Sequence, residues 1–305
     1  MEAPPGGPAD QRARKRWPLA VLMTGAVGIG LAPIFVRWSE VGPAATAFWR
    51  LALALPFFWL WLGMERGKRG HGPQDGAPGG HVAMLVLPGV FFAADLGIWH
   101  WSIRFTTVAN ATLFANCAPI VVAAFAWVWL GERLTGLFVV GLACALSGAA
   151  SLVAASFTAG PRNVLGDALG LLTAFTYGAY ILAAKKARAR FSTPLVMAWC
   201  IPVACGLLIV AALAGGERIL APTGRAWAVL AALAVFCQVG GQGLIVHALA
   251  HLPASFSSVA LLVQPVATAL FGWALLGERI GPYQGAAGCL VLLGVCLARL
   301  GSRAE

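Results

Sequence analysis

The stretch Leu130-Gly131-Glu132-Arg133-Leu134 recurs 146 positions later as Leu276-Gly277-Glu278-Arg279-Ile280. The same offset relates further prolines and glycines: Pro56 and Pro202, Pro119 and Pro265, Gly148 and Gly294. Matches of conformationally special residues at one ungapped offset indicate an internal duplication that spans most of the chain. Both copies lie between long apolar stretches, so the repeated unit is predicted to be a bundle of membrane helices.

The composition also indicates a membrane protein. Sixty per cent of the 305 residues are hydrophobic and 10% are charged, against about 25% charged in a soluble domain. Apolar stretches of roughly 20 residues, enough to cross about 30 Å of hydrocarbon, recur along the chain. We predict ten such helices, at about 17–36, 43–62, 82–101, 107–129, 135–155, 165–184, 194–214, 226–247, 253–275 and 282–300. The runs are continuous rather than alternating, which excludes a β-barrel and predicts an all-α, polytopic fold.

The repeat predicts two five-helix units of opposite orientation. The 146-residue offset maps helices one to five onto helices six to ten. Because five is odd, the second unit enters the bilayer in the opposite sense, which gives an inverted-topology repeat. The predicted parts are a cytoplasmic basic tail (1–16), the first repeat (17–155), an external linker (156–163), the second repeat (164–301) and a cytoplasmic end (302–305).

The net charge is +10, and the basic residues are distributed as the predicted topology requires. With both termini in the cytoplasm, 14 of the 21 Lys and Arg residues fall on the inner side and six on the outer side. This asymmetry follows the positive-inside rule, which explains the charge without a nucleic-acid partner. The seven cysteines form no Cys-x-x-Cys pair and are odd in number, so neither a disulfide framework nor a zinc ribbon is indicated.

The two Gly-Glu-Arg turns are predicted to join helix four to five and helix nine to ten. Glycine permits the tight reversal at Gly131 and Gly277. Glu132 and Glu278 each precede the next helix, whose positive end they are expected to complement. Under the inverted topology, the first turn lies on the cytoplasmic side and the second on the external side.

The two halves resemble EamA-type units of the drug/metabolite transporter superfamily. The stretches that carry the resemblance are 44–56 (AATAFWRLALALP), 106–119 (TTVANATLFANCAP), 129–133 (WLGER), 254–265 (ASFSSVALLVQP) and 275–279 (LLGER). The resemblance implies a ten-helix inner-membrane carrier that works by alternating access and exports small metabolites, amino acids or toxic compounds. It says little about the individual substrate.

Polar side chains inside predicted helices are the candidate substrate-binding and translocation residues. A charged group at a helix centre costs about 2.5–3.5 kcal/mol on insertion scales, so each requires a reason. The candidates are Arg50, Asp95, Trp99, Asn116, Tyr177, Tyr180, Gln238, Gln242 and Gln264. Gln238 and Gln242 are four residues apart and are predicted to share a helix face. Interhelical hydrogen bonding is the alternative role for the amides. Arg50 and Asp95 either form a structural ion pair, or Asp95 faces the cavity.

The function predicted from the sequence is secondary transport of a small metabolite, amino-acid-like or drug-like compound, with export as the expected direction. The alternative is a membrane-embedded enzyme that acts on a lipid or isoprenoid. No nucleophile elbow, phosphate-binding loop or carboxylate dyad is present, and the pair His247 and His251 lacks the glutamate of a zinc protease. We predict no catalytic residue, cofactor or metal. The expected partners are a small-molecule substrate and the bilayer, with the protein a monomer or homodimer.

Overall fold

The computed structural model describes residues 8–69, 81–106, 114–154, 164–277 and 281–302, and these residues are almost entirely helical. The helices are α1 (Pro8–Gly30), α2 (Ala32–Trp38), α3 (Pro43–Ala52), α4 (Leu55–Arg69), α5 (Val82–Phe105), α6 (Ala118–Leu130), α7 (Gly136–Ala154), α8 (Val164–Arg188), α9 (Thr193–Ala214), α10 (Gly224–Ala232), α11 (Gly243–Leu249), α12 (Ala254–Ala260), α13 (Val263–Leu276) and α14 (Pro282–Gly301). The predicted linker 156–163, Glu278 and Arg279 lie outside the described residues.

Eight helical stretches in the described part of the chain are long and apolar enough to span a membrane. They are Trp17–Trp38, Pro43–Gly67, Val82–Trp99, Val164–Arg188, Thr193–Ala214, Gly224–Leu249, Ala254–Leu276 and Pro282–Gly301. Two shorter apolar helices, Ala118–Leu130 and Gly136–Leu152, lie within the predicted fourth and fifth segments. With 13 residues, α6 is about 20 Å long at 1.5 Å per residue and does not cross the hydrocarbon alone.

The surface of the helical bundle is apolar, as expected for contact with lipid. Large hydrophobic side chains are exposed on many helices, including Trp127, Val128 and Trp129 on α6 and Val210 and Leu213 on α9. A soluble monomer rarely exposes contiguous apolar patches of this extent. The protein is therefore a multi-pass membrane protein.

Three helix breaks coincide with prolines of the duplicated pattern. The chain turns at residues 116–117 before Pro119, at residues 261–262 before Pro265, and at residues 53–54 before Pro56. A proline lacks the N–H that would bond to the carbonyl four residues earlier, so a helix readily breaks just before it. Pro202, the repeat partner of Pro56, instead lies inside the continuous helix α9.

The last helices of the two repeats, α7 and α14, pack together through glycine. A Cβ atom at Gly141 would lie 2.3 Å from the Ala298 backbone nitrogen, and one at Gly294 would lie 2.3 Å from the Ala145 backbone nitrogen. These distances are too short for any side chain, so the two backbones approach as closely as small residues allow. The contact joins the ends of the two repeats directly.

Replacing Gly294 with alanine is expected to lower the thermal stability of the purified protein. The new methyl group would meet backbone atoms of α7, which cannot rotate away, and overpacking of this kind costs about 1–3 kcal/mol. Gly285→Ala in the same helix is the matched control, because its Cβ would meet no atom within 4 Å. This control should be neutral or stabilising. Equal melting temperatures for the two variants would refute close α7–α14 packing.

One predicted helix departs from α-helical geometry. The segment expected to form a regular helix at about 226–247 contains a π-helix, Leu233–Gln242, between α10 and α11. A π-helix has wider turns than an α-helix and is frequently found at functional sites. The sequence offers no proline here, and the π-helix instead packs against α1, where Gly25 and Gly28 allow close approach to Gly241.

Candidate functional site

A buried polar cluster joins the two repeats, and Arg50 lies at its centre. The Arg50 Nε atom donates a 2.9 Å hydrogen bond to Gln238 Oε1, across 188 positions of sequence. Arg50 lies in the last turn of α3, and Gln238 lies in the π-helix. Arg50 is 8% exposed and Gln238 is fully buried. A guanidinium is thus held inside the bundle by an amide from the other repeat.

Asp95 faces the same cluster from the middle of α5. Its side chain is 8% exposed and interacts electrostatically with Arg50. The described hydrogen bond of the Arg50 side chain goes to Gln238. Within the described residues, Arg50 and Asp95 interact as opposite charges. Trp99 lies four residues after Asp95 and therefore on the same face of α5.

Aromatic rings form a second wall of the cluster. Gln242 Nε2 donates a 2.8 Å hydrogen bond to the Tyr180 hydroxyl, and Tyr180 stacks on Phe92 at a centroid distance of 4.6 Å. Tyr177 lies 6.1 Å from Tyr180, centroid to centroid, and interacts with Gln264. The sequence did not single out Phe92, although its position three residues before Asp95 places it on the same helix face.

Three side-chain amides have an –NH₂ group that donates no hydrogen bond to any group in the described part of the chain. They are Asn116 Nδ2, Gln238 Nε2 and Gln264 Nε2. A buried donor without an acceptor costs about 1–3 kcal/mol, so such donors in a functional membrane protein indicate a site for a ligand or water. Asn116 and Gln264 both lie beside the helix breaks that precede Pro119 and Pro265. The start of α6 packs on α8, because a Cβ atom at Gly178 would lie 3.0 Å from the Cγ1 atom of Val121.

The first Gly-Glu-Arg turn makes a contact that differs from the predicted one. Gly131 has φ = 68°, which confirms the tight reversal, and Gly277 has the same φ. The described hydrogen bonds of Glu132, however, go to a helix other than the one that follows it. Its carboxylate accepts hydrogen bonds from the backbone N–H of Ala254 at 2.7 Å and of Ser255 at 3.0 Å, and from the Ser255 hydroxyl at 2.6 Å. Glu132 therefore caps α12 and links the first repeat to the second.

A lysine reinforces the same connection between α11 and α12. Lys185 Nζ donates a 2.6 Å hydrogen bond to the carbonyl of Leu252 and interacts electrostatically with Glu132. Two side chains of opposite charge thus hold the α11–α12 connection. The residue that corresponds to Lys185 in the first repeat, 146 positions earlier, is Ser39. Its hydroxyl lies 2.8 Å from that of Thr46.

The two histidines that the sequence noted lie at the end of the bundle, apart from the buried cluster. Their ring centroids are 5.3 Å apart. His247 Nδ1 lies 3.3 Å from the Thr193 hydroxyl, and His251 Nδ1 lies 3.3 Å from the His247 carbonyl. Within the described ranges, no group of three or more His, Cys, Asp or Glu side chains is arranged to hold a metal ion.

Both halves of the chain match the same family of membrane proteins. The model of the EamA-like transporter family matches residues 16–154 and again residues 164–300. The chain belongs to the EamA-like transporter family. The predicted pair of EamA-like repeats is confirmed, and the protein is a membrane transporter. The breaks at Pro119 and Pro265 and the glycine turns at residues 131 and 277 therefore lie at matching places of two family repeats.

Individual relatives agree with this assignment. The EamA-like chain is 24% identical over 273 residues to an uncharacterized transporter from Archaeoglobus fulgidus, covering 87% of this chain and 91% of the relative. It is 27% identical over 217 residues to the pseudopaline exporter CntI from Pseudomonas aeruginosa, covering 71% and 74%. One protein of known crystal structure shares the fold with a TM-score of 0.79 at 18% identity, covering 93% of this chain and 98% of the other.

Proposed function

We propose that this EamA-like protein is a secondary carrier that exports a small, amino-acid-like metabolite by alternating access. The observation that carries the proposal is the Arg50–Gln238 hydrogen bond, which places a buried cation at the junction of the two repeats. In duplicated carriers, substrate sites form at such junctions near the bilayer midplane. The name of the Pseudomonas aeruginosa relative, an exporter, supports the outward direction.

The cluster offers complementary groups for a zwitterionic substrate. Arg50 and the –NH₂ group of Gln238, which has no acceptor among the described residues, are suited to a carboxylate, which accepts several donors at once. Asp95 is suited to an ammonium group on the same molecule. The rings of Phe92, Tyr177 and Tyr180 supply an apolar surface beside these charges. Substrate binding would satisfy donors that are otherwise buried without an acceptor.

Counterflow in proteoliposomes tests this function. Proteoliposomes that contain the purified protein are loaded with unlabelled candidate compounds. Uptake of a labelled compound is then followed for amino acids, their derivatives and cationic drugs. Exchange of compounds that carry both a carboxylate and an ammonium group is expected, and exchange of purely cationic drugs is not. Preference for the cationic drugs would contradict the role given to Arg50. Turnover of a lipid or isoprenoid substrate would favour the membrane-enzyme alternative.

We further propose ten membrane helices in two inverted five-helix repeats, 17–155 and 164–301. The tail 1–16 and the end 302–305 would lie in the cytoplasm, and the linker 156–163 outside. The described helices and the excess of Lys and Arg on the proposed inner side support this topology. We place the protein in the inner membrane as a monomer or homodimer, with the bilayer and a small molecule as partners.

Cysteine labelling at the two Gly-Glu-Arg turns is expected to give opposite sidedness. Thr135→Cys and Gly281→Cys are introduced separately into a variant that lacks the seven natural cysteines. A membrane-impermeant maleimide added to intact cells should label the Gly281→Cys variant but not the Thr135→Cys variant. The same reagent added to inverted vesicles should label the Thr135→Cys variant but not the Gly281→Cys variant. Labelling of both positions from one side would exclude the inverted repeat.

A further inference from the structure

A polar cavity of about 590 Å³ lies at one end of the bundle, away from the buried cluster. It is bounded by the end of α4, the connection between α8 and α9, and the end of α11. Its polar lining includes Glu65, Arg188, Arg190, Thr193, His247 and His251. Nothing in the proposed transport cycle uses these residues.

Two arginines of the cavity are held in place before any ligand arrives. Arg188 Nε donates a 3.3 Å hydrogen bond to the Val246 carbonyl, and Arg188 Nη1 donates to the Phe191 carbonyl. Arg190 Nη1 lies 3.2 Å from Nε2 of His81. A guanidinium that is already fixed loses less conformational entropy when it binds an oxyanion.

The charge of the lining is predominantly positive. Glu65 is the one acid among the described residues of the lining and interacts electrostatically with Arg188. Arg190, which is exposed, is not balanced by a second carboxylate of that described lining. The hydroxyl groups of Ser192 and Thr193 lie along the same wall and are further hydrogen-bond donors. Guanidinium and hydroxyl donors together are typical of a phosphate site.

The rim of the cavity is apolar and exposed on the surface of the bundle. Trp61 and Met64 line it, and Met64 is 54% exposed while the neighbouring Leu60 is 64% exposed. A soluble anion would use only the polar wall. A ligand with an anionic head group and acyl chains would use both the wall and the rim.

We infer that this cavity binds the phosphate head group of an anionic phospholipid. The phosphate lies against Arg190 and His251, and the acyl chains run past Met64 along the exposed side of α4. Basic pockets between membrane helices bind anionic lipids in this manner. The site is separate from the substrate cluster, so it does not depend on which compound the protein carries.

Lipid retention by the purified protein tests the inference. Wild-type protein in neutral detergent is titrated with phosphatidylglycerol or phosphatidylcholine, and bound lipid is counted by native mass spectrometry alongside the melting temperature. Wild type should retain phosphatidylglycerol preferentially and melt at a higher temperature with it. Arg190→Gln should bind phosphatidylglycerol about fivefold more weakly, as expected for the loss of one basic residue at an anionic surface.

Arg225→Gln is the matched control, because Arg225 is also exposed but lies in the first turn of α10, outside the cavity. It should bind phosphatidylglycerol as wild type does. Equal weakening by Arg190→Gln and Arg225→Gln, or no preference of wild type for phosphatidylglycerol, would overturn the inference. Glycerol 1-phosphate without acyl chains is the second comparison. If it raises the melting temperature as much as the lipid at equal concentration, the cavity is a site for soluble phosphates instead.

Discussion

The Asp95→Asn variant is expected to insert normally into the membrane and to lose about ten- to hundredfold in transport. Asparagine preserves the volume of the side chain but removes the negative charge that we assign to the substrate ammonium group. Hydrogen bonds to a charged group contribute about 1.5–3 kcal/mol, which corresponds to that range of affinity. Counterflow rates, normalised to the amount of protein in the proteoliposomes, measure the effect.

Two further variants separate a binding role for Asp95 from a structural one. Glu40→Gln is the control, since Glu40 is an exposed acid whose neutralisation should leave transport unchanged. Arg50→Gln removes the opposite charge. If Asp95→Asn and Arg50→Gln each prevent accumulation of the protein and the double variant restores both abundance and transport, the two charges form a structural pair. Wild-type transport by Asp95→Asn would remove Asp95 from the site.

Replacing Glu132 with alanine is expected to destabilise the protein by about 2–4 kcal/mol. The substitution leaves the backbone N–H groups of Ala254 and Ser255 without an acceptor. Both residues are buried, and each unsatisfied buried donor costs about 1–3 kcal/mol. Glu132→Gln retains a neutral acceptor and should lie between wild type and Glu132→Ala. The melting temperature in detergent reports the order.

The neighbouring Arg133→Ala is the control for Glu132→Ala, because it changes the same turn and removes an exposed charge. It should melt close to wild type, since surface substitutions are usually within about 0.5 kcal/mol. Ser255→Ala removes only the hydroxyl donor and should have a small effect. If Glu132→Ala melts like Arg133→Ala, the cap of α12 contributes nothing to stability.

The sequence was sufficient to predict the helical membrane fold and the family, because both depend on patterns local to each segment. Apolar length indicated the spans, and the repeated Gly-Glu-Arg turn indicated two related units. The left-handed conformation of Gly131 and Gly277 follows from the same pattern, since glycine adopts positive φ without strain. The π-helix could not be predicted in this way, because its cause lies in packing against α1 rather than in its own residues.

The partners of the charged groups were also beyond a reading of the sequence. Gln238 and Gln242 were predicted to share a helix face, and their side chains form hydrogen bonds with Arg50 and Tyr180. Arg50 interacts electrostatically with Asp95, but its hydrogen-bond acceptor Gln238 lies 188 positions away. Glu132 likewise caps a helix 122 positions away. Such contacts depend on how the two repeats pack against each other, which cannot be predicted from local sequence patterns.

The unequal attachment of the two repeats bears on which way the carrier faces at rest. Two identical inverted halves would give inward-facing and outward-facing forms of equal energy, with each form half populated. Here Lys185 interacts electrostatically with Glu132 of the first repeat, whereas its counterpart Ser39 bonds to Thr46 within its own repeat. A contact present in only one form and worth about 1.4 kcal/mol shifts an even population to roughly ten to one. Divergence at a single repeat position thus suffices to give a duplicated carrier a preferred resting orientation.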